Sequence, residues 1–327
     1  MAQKDLKSAA RNKNDEFYTL YDDIQKELNC YFDFDNDVFK DKIILLPCDA
    51  PNRSNFTKFF VDHFKRFKIK KLISTSYVKD SNGKIFIMNS DEVKNYYLEC
   101  DGDFRSDEVK KLRDESDIII TNPPFSLFRE FLKWIIDADK KFLVIGNINC
   151  ITYKEVFPLI KENKIWLGNG MSRWISGFIV PEGYELYGTE ARIKNGERIV
   201  ATNNCLWLTN LEHGRRHKPL KLMTMAQNLN QSRHKIIREQ GYQRYDNYNA
   251  IEVPFVDAIP DAYDGVMGVP ITFLDKYCPE QFEILGHTYA GDKTLEVEEL
   301  RIDPKNRNRG LINGKIKYDR ILIKRRR

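Results

Sequence analysis

Ile118-Ile119-Ile120-Thr121-Asn122-Pro123-Pro124-Phe125 reads as a short buried strand that runs into a stiff turn. An unbroken apolar run of this length, bounded by turn residues, is the pattern of a strand covered on both faces. Behind it, Phe128, Phe131, Leu132, Ile135 and Ile136 recur at helical spacing, as on the apolar stripe of an amphipathic helix. The same alternation extends in both directions. Ile43-Ile44-Leu45-Leu46, Leu72-Ile73-Ser74-Thr75 and Phe142-Leu143-Val144-Ile145 are further buried strands, and Tyr96-Tyr97-Leu98 is a weaker one. Between the first two, Phe56, Phe59, Phe60, His63, Phe64 and Phe67 form a second helical stripe after Ser54, a good N-cap. Both stripes are expected to be core, with His63 a packed histidine. Strand–helix–strand alternation implies right-handed crossovers and a parallel sheet with helices on both faces. The expected fold class is therefore α/β, a doubly wound Rossmann-like sheet. Such sheets bind ligands at the carboxyl ends of their strands, which puts the chemistry just after Leu46, Thr75, Leu98 and Ile120.

Beyond about Trp166 the pattern changes to short β-like pieces, such as Cys205-Leu206-Trp207-Leu208, between Gly- and Asn-rich turns. Gly310-Leu311-Ile312-Asn313-Gly314-Lys315-Ile316 reads as a hairpin, because Asn-Gly supplies the positive φ angles of a type I′ turn. The expected division is one domain over residues 1–210 and a second, β-rich region over 211–327 that ends in a basic tail, part of it packing back on the first.

Composition, 42% hydrophobic and 31% charged over 327 residues, is that of a globular protein. No stretch approaches the roughly 20 apolar residues of a membrane helix, so no membrane partner and a cytoplasmic location are expected. The six cysteines form no C-x-x-C pair and the five histidines no metal-binding spacing; reduced thiols and no metal site are expected. Net charge is +5, unevenly spread. Leu211 to Arg244 holds eight Lys/Arg against two acids, and Arg301 to the end holds eleven against two. Two readings stay open: a solvated surface, or a half that contacts a polyanion.

The tetrad Asn122-Pro123-Pro124-Phe125 carries the chemistry. An adenine amino nitrogen is a poor nucleophile because its lone pair is delocalised into the ring. The Asn122 side-chain oxygen and the Pro123 carbonyl supply two acceptors, one for each N6 hydrogen. Such bonds pull the nitrogen toward tetrahedral geometry and aim its lone pair at a methyl donor. Pro123 and Pro124 stiffen the turn, and Phe125 offers a face to an extruded base. Catalysis of this kind is positioning and electrostatics.

Beyond the tetrad, the chain resembles the EcoRI-type adenine-specific DNA methyltransferases over most of its length. The resemblance is carried by Asp15-Glu16-Phe17-Tyr18-Thr19, Cys48-Asp49-Ala50-Pro51, Ser54-Asn55-Phe56, Gly102-Asp103-Phe104-Arg105-Ser106, Thr121 to Arg129, and Tyr263 to Phe273. It implies transfer of a methyl group from S-adenosylmethionine to N6 of an adenine flipped out of double-stranded DNA. It further implies that Phe17, Tyr18 and Thr19 line the methionine end of the cofactor, with Asp49 and Ala50 beside its amino acid or ribose. Asp103 would accept from the cofactor's adenine amino group, Phe104 would pack on that ring, and Asn122 would lie near the methyl group. The chain departs from methyltransferases at large in two places. Leu46-Pro47-Cys48-Asp49 stands where a Gly-rich loop is usual, and Ser76-Tyr77 where an acid is expected after the second strand.

Other readings keep the tetrad but change the substrate to an RNA base or a glutamine amide, or keep the DNA and drop the catalysis. For the DNA reading, Arg215, Arg216, Asn230, Arg233 and Lys235 are expected contacts, the amide- and guanidinium-rich segment suiting base edges. The alternative is a solvated connector over 211–244. Arg325, Arg326 and Arg327 are expected as phosphate contacts from a chain end. The enzyme is expected to act as a monomer, and a cognate restriction endonuclease in the same system would need no direct contact.

Overall fold

The structure, a computed structural model, describes residues 17–169, 175–180, 191–194, 196–202, 204–288 and 309–326; Asp15, Glu16 and Arg327 of the stretches above lie outside it. The chain divides into two compact units. One holds residues up to Cys150 with Trp166–His213, the other Ile151–Ile165 with Gly214 onward. The boundary lies three residues beyond the expected 210, and a short stretch of the first half belongs with the second.

The first unit contains twelve strands among its described residues: β1 (Tyr18–Thr19), β2 (Ile43–Leu46), β3 (Lys71–Thr75), β4 (Lys84–Met88), β5 (Val93–Tyr97), β6 (Ile118–Thr121), β7 (Lys141–Asn147), β8 (Trp166–Leu167), β9 (Phe178–Ile179), β10 (Ala191–Lys194), β11 (Glu197–Val200) and β12 (Cys205–Thr209). Eight of them form one sheet in the order β5-β4-β3-β2-β6-β7-β12-β8. Its centre is parallel: Ile44 lies opposite Leu72 on one side and Ile118 on the other, and Ile119 lies opposite Phe142. Its flanks are not, which corrects the expectation of a parallel sheet throughout. β3, β4 and β5 form an antiparallel meander, and β12 pairs antiparallel with both β7 and β8. The connection from Thr75 to Lys84 is too short for a crossover, which takes a dozen or more residues.

Four helices accompany these strands: α1 (Tyr21–Phe32), α2 (Asn55–His63), α3 (Asp107–Glu115) and α4 (Phe128–Ile136). Ile44, Leu46, Ile118, Ile120, Leu143 and Ile145 share one core cluster with Ile24, Leu28 and the α2 phenylalanines. Their neighbours Leu45, Ile119, Phe142 and Val144, which a pleated strand turns to the other face, are equally buried. Both faces of the central strands are therefore covered. Both aromatic stripes are core, and His63 is sandwiched between Phe59 and Phe67, its Nδ1 hydrogen-bonded to the Phe59 carbonyl. A second sheet, β1-β9-β11-β10, is antiparallel.

The second unit contains α5 (Phe157–Lys161), α6 (Met225–Gln231) and α7 (Lys235–Gln240), and the strands β13 (Ala250–Glu252), β14 (Val266–Pro270), β15 (Phe282–His287), β16 (Leu311–Ile312), β17 (Lys315–Ile316) and β18 (Arg320–Arg325). The hairpin read at Asn313-Gly314 is β16–β17, with φ of 52° and 71° at its turn. The larger sheet runs β13-β14-β18-β15. β18 lies inside it, between two partners, with Ile321, Leu322 and Ile323 buried. The expected basic tail is therefore a central strand up to Arg325, because three consecutive apolar residues precede its arginines.

Candidate active site

The carboxyl ends of β2, β3 and β6 meet around one buried carboxylate. Asp49, 4% exposed, accepts from the Ser54 hydroxyl (2.6 Å) through Oδ1 and from the Thr121 hydroxyl (2.6 Å) through Oδ2. Its amide donates to the Thr75 carbonyl, and its carbonyl accepts from Ser74 (2.5 Å). Ser54 serves twice, since its oxygen also caps α2 by accepting from the Phe56 amide. Burial pushes the Asp49 carboxyl up to about 6, while the two hydroxyl bonds hold it back. This side chain acts as a brace that ties the β2 loop to the residue before Asn122. Ala50 accepts through its carbonyl from Arg53 and Ser54, which closes that loop.

Asn122 follows Thr121 directly. Its Nδ2 donates to the Phe17 carbonyl (2.8 Å), which fixes the amide's orientation. Its Oδ1 is buried with no hydrogen-bond partner among the described residues, and the same holds for Oγ1 of Thr19. Asn55 donates to the Thr19 carbonyl (2.9 Å), so β1 is pinned from both sides. A buried acceptor left open costs about 1–3 kcal/mol unless a ligand fills it. Pro123 is buried, and the Pro124 carbonyl accepts from Leu127 at the start of the turn into α4.

Two rings pack against the tetrad's own Phe125. Phe17 and Phe125 lie at 28° with centroids 6.5 Å apart, and Phe178 tilts against both at 5.9 and 6.1 Å. Tyr18 sits beside them on β1, opposite Ile179. The sequence reading missed Phe178, because β9 is two residues long and carries no periodicity.

A second cluster lies off the end of β3. Gly102 has φ +84°, and a Cβ there would sit 2.1 Å from the Ser76 carbonyl oxygen, so only glycine lets the 101–106 loop approach so closely. The following Asp103 is gripped by Arg105 through Nε (2.9 Å) and Nη2 (2.6 Å), which holds its carboxyl below the usual range. Phe104 is 4% exposed and packs edge-on against Phe131 (5.1 Å) and Trp134 (5.6 Å). Its ring lies at the edge of the core, edge-on to both neighbours. The accessible ring beside this loop is Tyr77, 51% exposed, whose neighbour Val78 donates to the Asp101 carbonyl.

In the second unit the expected DNA-contacting arginines are engaged internally. Arg215 pairs with buried Asp275 (2.7 Å), and Arg233 with Asp257 (2.8 Å). Arg216 is buried and donates to Asn163, and Arg325 pairs with Asp261. Arg326 donates to the Phe282 carbonyl. Lys235 pairs with Glu239 across one exposed helical turn, and Asn230 is exposed. Arg327 lies outside the described residues. Counting charges along a sequence counts these paired cations as free, whereas most of them meet an acceptor within their own unit.

The comparisons with known proteins cover the whole chain. The family model described as adenine-specific methyltransferase EcoRI matches residues 5–93 and 78–326. The chain is 48% identical to the type II methyltransferase M.EcoRI of Escherichia coli, over 98% of its own length and 96% of the relative's. It is 35% identical to type II methyltransferase M.MgeORF184P of Mycoplasma genitalium and 34% to M.MpnI of Mycoplasma pneumoniae, with 97% of each chain covered in both cases. No solved structure matches it. A tetrad set at the end of β6 and a match that spans both units agree: the chain belongs to the EcoRI family of adenine-specific methyltransferases.

Proposed function

We propose that the enzyme binds S-adenosylmethionine and methylates N6 of an adenine extruded from double-stranded DNA. The observation that carries this is the open Oδ1 of Asn122, a buried acceptor beside three aromatic rings. Asn122 Oδ1 takes one N6 hydrogen and the Pro123 carbonyl the other. Phe17 holds the asparagine amide so that Oδ1 rather than Nδ2 faces the base. The proton leaves N6 after transfer and needs no strong base held against it. Phe125 receives the base, with Phe178 packed behind it, and the base must leave the stack at a cost of a few kcal/mol.

The residues present fit the cofactor. Thr19 Oγ1 is a second open buried polar atom, and Asp103 is an ionised carboxylate. Asp103 would hold the cofactor's adenine amino group, with Phe104 and the exposed ring of Tyr77 beside it as packing faces. Phe17, Tyr18, Thr19 and the Ala50 turn would line the methionine end. When bound, the cofactor supplies a methyl group on a sulfonium, a leaving group good enough for a neutral amine to displace.

The parallel centre of the large sheet, covered on both faces, supports a Rossmann-like doubly wound reading of the first unit. The second unit is read as the DNA-recognition region, and the protein as a cytoplasmic enzyme of a restriction–modification system. Among the described residues no helix is long and apolar enough to cross a membrane.

Asn122→Ala tests the assignment. Turnover is expected to fall about a hundred-fold or more, the scale of losing one preorganised polar partner, with duplex binding retained. Digestion of methylated plasmid to nucleosides reads the product as N6-methyladenine and separates DNA from RNA or amide substrates. Activity within a few-fold of wild type would overturn the role of Asn122.

A further inference from the structure

We propose that the β10–β11 hairpin, with Lys26 and Lys58 at its base, is a phosphate clamp on the DNA strand that carries the extruded adenine. The inference rests on the DNA-methylation reading and adds to it a binding surface in the catalytic unit itself.

The hairpin is continuous with the base site. Val200 of β11 lies opposite Phe178, and Ile199 opposite Ile179. From there the hairpin runs through four rungs, from Ala191↔Val200 to Lys194↔Glu197. At about 3.4 Å per residue it extends on the order of 10 Å past Phe178, roughly three phosphates along one strand. β10 is the outer edge of its sheet. Its Arg192 and Lys194 are exposed, and between them Ile193 is 66% exposed, which leaves an apolar β-branched side chain uncovered on an arm that otherwise carries charge.

Beneath the hairpin lies a cavity of about 350 Å³ whose lining includes Lys26 from α1, Lys58 from α2, Arg192 and Lys194. Among the described residues none of these four is in an ion pair; Lys58 rests over the Tyr21 ring at 5.7 Å. The carboxylates that reach the cavity are Asp22, Asp23 and Glu197. Asp23 is 1% exposed, and both its oxygens are held by the Ser176 hydroxyl and amide. Four cations therefore face two exposed carboxylates. Asn55 and Ser176, polar side chains that could read a base edge, are already bonded to the Thr19 carbonyl and to Asp23. What remains is cationic, the composition that grips phosphates without reading sequence. The cavity wall includes Leu20 and Tyr21, so the grip lies a few residues from the Phe17–Asn122 bond.

The test is binding of a random-sequence duplex as a function of salt, with Arg192→Ala/Lys194→Ala and, independently, Lys58→Glu. Each variant is expected to weaken binding about ten-fold or more and to flatten the log K against log salt slope by up to about 0.9 for each phosphate that the variant no longer neutralises. S-adenosylhomocysteine affinity, read by calorimetry, is expected to stay unchanged and so to report an intact fold. Affinity and slope equal to wild type in both variants would overturn the clamp, as would a loss confined to one DNA sequence. Failure of the methylation reading shows separately, as wild-type protein that leaves no N6-methyladenine in plasmid DNA, whereas the duplex-binding measurement does not depend on methyl transfer.

Discussion

The end of β6 and the basic stretches of the second unit use polar groups in opposite ways. Around the tetrad, Ser54 and Thr121 donate to Asp49 and Asn122 Nδ2 donates to the Phe17 carbonyl, which leaves Asn122 Oδ1 open. In the second unit, Arg215, Arg233, Arg320 and Arg325 each meet a carboxylate of the same unit. An unmatched buried acceptor in a braced frame points to a ligand. An arginine count does not, because arginine is also the residue best suited to close a buried ion pair.

The largest expected effect breaks the second half of this contrast. Arg320 and Glu252 form a pair with side chains only 11% and 8% exposed, and Tyr245 donates to the same carboxylate. Arg320→Ala strands that carboxylate beside a phenol. The fold is expected to lose about 3–5 kcal/mol in urea unfolding, with little change in DNA affinity beyond what the reduced stability causes. A large drop in salt-dependent DNA binding with stability intact would return Arg320 to the contacting surface.

Asp49 tests the brace. Its folded-state carboxyl is pushed up to about 6 from an ordinary 3.8, so the folded chain binds the proton more tightly than the unfolded one. Protonation then stabilises the fold fully below the ordinary value, and this contribution is lost as pH rises through about 6. The difference amounts to roughly 2–3 kcal/mol across that window. Asp49→Asn removes the slope, and a pH-dependent melt comparing it with wild type reads the effect. Activity gives a second reading. A protonated Asp49 must donate one of its hydrogen bonds, so Thr121 or Ser54 must turn. Turnover is expected to fall below about pH 6 in the wild type and to lack that limb in Asp49→Asn.

The aromatic half of the site carries a smaller term. Phe125→Ala is expected to weaken retention of the extruded base by about 1–3 kcal/mol, the range for one stacked base. A 2-aminopurine at the target position reads this as a reduced fluorescence rise on binding. An unchanged rise would move the stacking role to Phe178 or Phe17.

Much of the first unit is legible in the sequence because its signals are local and redundant. The runs at Ile43, Leu72, Ile118 and Phe142 each need burial on both faces, and Ser54 obeys a backbone rule that tolerates few alternatives, as Asn313-Gly314 does in the second unit. The tetrad is legible for the same reason, since its chemistry lies within four consecutive residues. The antiparallel flanks are legible only in part. Tyr96-Tyr97 and Cys205–Leu208 read as strands, but β5 is exposed along its length and β8 is two residues long, so no periodicity gives their pairing; the two-residue β9 of the second sheet carries none either. The Phe104 ring could equally face a ligand or the core. Only the positions of Phe131 and Trp134, some 27 to 30 residues away in sequence, decide it. Pairing of the basic residues is likewise non-local: Arg215 meets Asp275, and Arg325 meets Asp261.

The smallest expected effect sharpens the contrast at its weakest point. Arg233 is paired with Asp257, yet its side chain is 77% exposed, unlike Arg215 or Arg320. An exposed pair of this kind is worth about 0–1 kcal/mol, too little to withhold the guanidinium from a DNA phosphate or base edge. His234 shares the same carboxylate at 2.8 Å and stacks on Phe255 at 3.6 Å, so Asp257 organises both side chains. Asp257→Asn removes the competing charge while keeping the shape. If Arg233 reaches DNA, affinity is expected to rise by a few-fold at most, in line with the weak pair, and Arg233→Ala is expected to cancel the rise. Unchanged affinity in both variants would make the 233–257 pair a surface feature and leave the sequence-reading role to other exposed groups of the region, Asn230 among them.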